Sequence, residues 1–191
     1  MSSRSSQSWT RTTPVTPGTW AHLDPPALAR HIVETHHRYL HEELPLLDAL
    51  AEKVLAAHGR RHPELEDVRN LVRAIHDDLE PHLMKEERVL FPAIEALSAG
   101  QREFGFGPVA SPIRMMELEH DRAGHLLAEL RAVAYRYEIP TDACTSYRSL
   151  YERLEHLEAD THEHIHKENN VLFPAALALQ ASGGRRDQIE Q

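Results

Sequence analysis

What the chain has little of narrows its class first. One cysteine, Cys144, stands among 191 residues. It has no partner for an internal disulfide, which fits a reducing compartment and leads to the expectation of a cytoplasmic protein. No apolar run approaches the roughly 20 residues that a membrane-spanning helix needs. The Ser/Thr/Pro-rich start, Met1 to Gly18, has no apolar core, so a secretory signal is not expected either. Basic residues are also short. The 21 Lys and Arg against 30 Asp and Glu leave a formal charge of −9. That balance lacks the basic face a nucleic-acid binder uses to displace counterions, and it gives no reason to adhere to an anionic membrane. Aromatics are few, at 6%. What is present is a helical mixture, long stretches of Leu, Ala, Glu and Arg, in a chain long enough for one domain with a sizeable core. The anomaly is 15 histidines.

Start and stop signals divide the chain into four helices. Residues 1–23 lack hydrophobic period and are expected to be a tail. Asp24 is a good N-cap, with Pro25 and Pro26 opening a first helix that runs to His58 and ends on Gly59 in the left-handed position. Pro63 opens the second, which continues to about Ser98 before Gly100. After the loop Gln101 to Ala110, Ser111 and Pro112 start the third, reaching about Glu138. Pro140 marks a break and Thr141 caps the fourth, which ends at Gly183 and Gly184. The bundle is thus expected over 24–184, with a C-terminal tail at 185–191. Pro45, Pro81, Pro92 and Pro174 read as kinks, because the apolar pattern runs through each without an apparent change of phase.

That pattern has steps of three and four. The first seam holds Val33, His37, Leu40, Leu44, Leu47, Ala51 and Val54. The second holds Leu65, Val68, Val72, Ile75, Leu79, His82, Glu86, Val89 and Ala93. The third holds Ile113, Met116, His120, Ala123, Leu127, Leu130, Ala134 and Tyr137. The fourth holds Tyr147, Leu150, Leu154, Leu157, Thr161, His164, Glu168, Val171 and Ala175. Four such seams with short connections predict an all-α, antiparallel up-down four-helix bundle. There is also an internal repeat. HLMKEERVLFPAI (His82 to Ile94) matches HIHKENNVLFPAA (His164 to Ala176), and the E-x2-H of Glu34 to His37 matches that of Glu117 to His120. The chain reads as a duplicated helical hairpin with an approximate two-fold axis.

Each seam carries one histidine, and two carry a glutamate four residues further on. Burying an uncompensated carboxylate costs several kcal/mol, so such a group must be paired, protonated or bound to a cation. Two carboxylates sharing a core with four imidazoles, and no lysine or arginine on the seams, point to a dinuclear metal site. Residues four apart differ by about 40° around a helix, so the H-x3-E pairs His82/Glu86 and His164/Glu168 can each turn toward one ion. The break between Gly59 and Pro63 falls midway between His37 and His82, and the break at Pro140 and Thr141 falls midway between His120 and His164. All four histidines therefore reach one height. The same count rejects His58, roughly 30 Å from His37 at about 1.5 Å per residue; it is expected instead to complement the carbonyl end of its helix. Cys144 fails likewise. His36, His41, His76, His125, His156, His162 and His166 fall off the seams and read as surface or boundary residues. Glu119 and Asp78 could hold outer bonds to the ligands or line a route to them; a solvated helix face is the plainer reading of each. Imidazole with bridging carboxylate suits iron, with manganese or zinc as alternatives. If Glu86 and Glu168 bridge, each ion keeps an open position for dioxygen, nitric oxide or peroxide.

At these residues the chain resembles the hemerythrin-like proteins of the repair-of-iron-centres family (the YtfE/ScdA/DnrN group). The likeness covers about Leu28 to Ala181 and rests on VETHHRYLHEELPLL (Val33 to Leu47), MELEHDRAGHLLAEL (Met116 to Leu130), DACTSY (Asp142 to Tyr147) and the two repeat segments ending in Phe-Pro. The resemblance implies a non-haem di-iron centre in which His37, His82, His120 and His164 are terminal ligands while Glu86 and Glu168 bridge, with an oxo or hydroxo between the irons. It also implies a place in nitrosative and oxidative stress, by donation of iron to damaged iron–sulfur proteins or by enzymatic reduction of nitric oxide. A reversible dioxygen-binding or redox- and gas-sensing module is the alternative. Family members usually carry an N-terminal domain with a cysteine pair, where this chain shows only its short tail, so docking through such a domain is not expected. Oxygen-carrying hemerythrins would need histidine at Gly124 and H-x4-D in the fourth helix. Gly124 here could equally serve close helix packing.

Overall fold

A computed structural model describes residues 20–186. Most of the two expected tails lies outside these residues. Helix α1 spans 25–58 and α2 spans 65–98; α3 is Ala110–Val133, and α4 spans 145–186. Consecutive helices pack side by side and α1 also packs on α4, closing an antiparallel square. The all-α up-down bundle is thus the observed fold. Among the described residues no helix is long and apolar enough to cross a membrane.

The starts show where local signals held. Asp24 accepts the amide of Ala27 at 2.8 Å, a side-chain cap over the Pro25 turn. Gly59 does not take the left-handed conformation: its φ of −56° continues the right-handed turn, and the His62 amide reaches back to the His58 carbonyl. Helix α2 begins at Leu65, two residues after Pro63. Helix α3 begins at Ala110 with Val109 at its N-cap position, so Ser111 lies inside it. Helix α4 begins at Thr145, after a turn that contains Thr141. Here a long-range contact overrides the local cap, because Asp142 accepts from His62 Nε2 at 3.0 Å across the end of the bundle. The last helix runs through Gly183 and Gly184 to Arg186. Trp20–His22 forms a single 3₁₀ turn, and Trp20, expected in the tail, is buried against the bundle.

The expectation of an unbroken phase fails at three places. Val33–His37, Glu86–Leu90 and Glu168–Leu172 are π-turns, in which the amides of Arg38, Phe91 and Phe173 bond five residues back to Val33, Glu86 and Glu168. Each turn holds one extra residue and advances the buried face by one position. Val89, expected in the core, is 42% exposed while Leu90 is 1% exposed. Likewise Ile32, Leu172 and Ala176 are buried where Val33, Val171 and Ala175 were expected. Pro92 and Pro174 each lie two residues past the end of one of these turns, so they mark a local change in helix type.

The core consists of two apolar clusters. One is built from residues such as Leu44, Val72, Leu127 and Leu154 in the half of the bundle holding the α1–α2 and α3–α4 connections. The other gathers Ile32, Leu90, Phe91, Ile113, Leu172 and Phe173. Along every helix the predicted ligands fall between the two: His37 between Ile32 and Leu40, His120 between Met116 and Ala123. The polar residues form a layer across the waist of the bundle.

Candidate metal centre

All six predicted residues meet in that layer, and all are buried. His37, His164, Glu86 and Glu168 form one set, and His82, His120, Glu86 and Glu168 a second; within each set the candidate donor atoms lie within 4.8 Å of one another. His37 Nε2 and His164 Nε2 are 3.2 Å apart, and His82 Nε2 and His120 Nε2 are 3.1 Å apart. Glu168 turns Oε1 to His164, at 3.0 Å, and Oε2 to His120, at 3.1 Å. Glu86 Oε2 lies 3.4 Å from both His37 and His82. The two glutamates are thus common to both sets.

The outer hydrogen bonds fix what the rings present inward. His37 Nδ1 donates to Glu87 Oε1 at 3.0 Å, and His82 Nδ1 to Glu119 Oε2 at 2.9 Å. His120 Nδ1 donates to the Asn169 side-chain oxygen at 2.8 Å. Carboxylate and amide oxygens only accept here, so these Nδ1 atoms carry protons and a neutral ring points a bare Nε2 lone pair into the centre. Lone pairs therefore face carboxylate oxygens, and both oxygens of Glu86 and Oε2 of Glu168 have no hydrogen-bond partner. Such an arrangement needs positive charge, either protons or metal ions.

The titration shifts express the same demand in protons. Burial pulls the His37 ring down, yet the close Glu86 carboxylate, the Glu87 hydrogen bond and the Glu168 charge raise it to about 9. Burial also opposes protonation of His82, but the charge of the adjacent Glu86, with that of Glu168 and the Glu119 hydrogen bond, raises that ring to about 9 as well. Burial pushes Glu168 up, but the His164 charge, the His164 hydrogen bond and the nearby His120 ring hold its carboxyl well below the usual range. His164 differs: burial lowers it despite Glu168. It is the one ring of the four whose Nδ1 has no partner.

Other assignments change. His36, read as a surface or boundary residue, is 3% exposed and stacks on His164 with 5.5 Å between ring centres. Lys167, on no seam, is 2% exposed. Asp78 is buried but pairs with Arg122. His58 turns Nε2 toward Cys144 Sγ at 3.1 Å. A side chain at Gly124 would meet nothing within 4 Å, so close packing does not explain that glycine. Sequence reasoning missed Glu87 and Asn169, which follow Glu86 and Glu168 at matching places in the repeat. Glu119, a candidate from the sequence for an outer bond, does bond the predicted ligand His82.

Comparison with known proteins bears on this centre. The hemerythrin HHE cation binding domain matches residues 28–176. The iron-sulfur cluster repair protein ScdA of Staphylococcus haemolyticus (strain JCSC1435) is 35% identical over 152 residues, 80% of this chain and 67% of that protein. The iron-sulfur cluster repair protein YtfE of Musicola paradisiaca (strain Ech703) is 40% identical over 151 residues, 79% and 65% of the two chains. That of Salmonella schwarzengrund (strain CVM19633) is 38% identical over 149 residues, 78% and 64%. The matched region thus spans about two thirds of the length of these relatives.

Proposed function

This chain belongs to the hemerythrin HHE cation binding domain family, and on that premise we propose that it holds two iron ions and supplies iron for the repair of iron–sulfur clusters under nitrosative or oxidative stress. In this reading His37 and His164 would hold one ion and His82 and His120 the other, Glu86 and Glu168 would serve both as bridges, and an oxo or hydroxo would complete the pair. The observation that carries it is the inward facing of bare imidazole lone pairs onto buried carboxylate oxygens without donors. Mixed nitrogen and oxygen donors shared between two sets suit iron better than zinc. Bound iron would supply ligand exchange and one-electron redox chemistry. The chain's own contribution is to exclude water and, through Glu87, Glu119 and Asn169, to orient the His37, His82 and His120 rings with their protons on Nδ1 and their Nε2 atoms free for metal.

The repair role rests on the likeness to iron-sulfur cluster repair proteins. Iron–sulfur proteins would be the recipients, the cytoplasm the compartment, and residues 24–184 the working unit. One observation favours nitric oxide reduction as a second reading: each set offers four protein donors, which leaves a six-coordinate ion open to a diatomic molecule. Two anaerobic experiments on the diferrous protein separate the readings. Transfer of iron to an apo-ferredoxin supports supply; nitrous oxide formed from nitric oxide supports reduction. A stable, reversible dioxygen adduct without either would replace both with gas binding.

A further inference from the structure

The two halves of the repeat are not equivalent around their ligands. Matching Glu34–His37 with Glu117–His120 places His36 opposite Glu119, and matching the H-x3-E segments places Lys167 opposite Lys85. In one half Lys85 pairs with Glu119, whose Oε2 accepts the His82 Nδ1 proton at 2.9 Å. In the other half Lys167 donates to His36 Nε2 at 2.7 Å, and His36 Nδ1 donates to Asp160 Oδ1 at 2.9 Å. Both nitrogens of His36 are thereby used. The ring can only lie flat on His164, at 8° between planes, and His164 Nδ1 is left buried without a partner. The remaining rings are His37, held by the Glu87 carboxylate, and His120, held by the Asn169 amide. One ligand set therefore has both rings held from outside, and the other has one. Behind the unsupported His164 ring, the stacked His36 is itself held by Lys167, which also pairs with Glu163 at 2.9 Å.

We propose that the two ion positions differ in strength and that the one formed by His37 and His164 gives up its ion first, making it the transferable position. This rests on the two-iron reading above. An outer partner fixes a ligand ring and strengthens it as a donor, and losing one commonly lowers metal affinity by about 10- to 100-fold. His36 in place of a glutamate is the substitution that sets the difference.

The test follows iron leaving the diferrous protein into excess ferrous chelator under anaerobic conditions, with bound iron measured first. The expected result is two phases of equal amplitude, their rates differing by about 10-fold or more. His36→Glu, which restores the arrangement of the other half, should slow the fast phase alone. Glu119→His should speed the slow phase alone, as should Asn169→Ala, which keeps the test open if either exchange disturbs folding. Failure to hold two ions per chain overturns the two-iron reading and this proposal with it. Two ions held but released in a single phase, or a fast phase indifferent to His36→Glu in the folded variant, overturns the proposal and leaves that reading standing.

Discussion

Glu86 and Glu168 are fully buried, with both oxygens of the first and one of the second lacking a donor. An ionised carboxylate left so costs several kcal/mol, and the four surrounding imidazoles offset that cost only through protons or metal. Replacing either glutamate with leucine removes an oxygen donor from both sets at once. Glu86→Leu and Glu168→Leu are each expected to lower bound iron to one ion or none per chain by elemental analysis; two ions retained in both variants would rule out the shared role. These six residues were legible because each occupies a core position where a polar side chain is conspicuous. Glu87, Asn169, His36 and Lys167 were not. They lie beside ligands in sequence but off the seam of their own helix, and Glu87, Asn169 and His36 touch a ligand ring on a neighbouring helix. Only packing reveals such contacts.

At the scale of the helix, a regular apolar spacing hid three irregular turns. Valine at 89 or leucine at 90 satisfies a step of three or four equally well, so periodicity alone could not tell which faces inward. The Phe-Pro pairs gave a clue, since proline removes a helical hydrogen bond and favours a place where the ladder already changes. Helix α3 has no π-turn, and its seam from Ile113 to Leu130 lies as expected. Its glycine has a measurable effect. Gly124 sits in mid-helix with open space around its missing side chain, and glycine there costs roughly 0.5–1 kcal/mol relative to alanine. Gly124→Ala is expected to raise the urea midpoint by an amount corresponding to that gain, with iron content unchanged. A lowered midpoint would show a close neighbour there after all. The same helix ends in a tight left-handed turn, with Tyr135, Arg136 and Tyr137 at φ of 49°, 60° and 64°. Successive left-handed residues cost about 1–2 kcal/mol each, offset here by burial of Tyr137 and Ala134.

For the whole molecule, protons and metal compete for one layer. Without metal, His37 and His82 titrate near 9, against 6.5 for the free ring. Their stabilising contribution is fully present below 6.5 and is lost as pH rises through about 9. Glu86 and Glu168, both lowered from 4.5, contribute above that value and lose it as pH falls through their folded values. His164, lowered by burial, adds to the acid-side loss. Metal-stripped protein is therefore expected to melt at a lower temperature at pH 9 than at 6.5, while iron-loaded protein changes little, because cations then occupy the place of the protons. Parallel calorimetric scans at the two pH values check this; equal shifts with and without iron would refute it. The charged waist has a mechanical corollary. Two oily halves joined through ionisable groups have a weak plane between them unless something clamps it. In chelated protein, amide hydrogens of residues 91–98 and 173–182 should exchange with deuterium sooner than those of 68–79, and loading should bring the two rates together, as a rivet makes two plates bend as one.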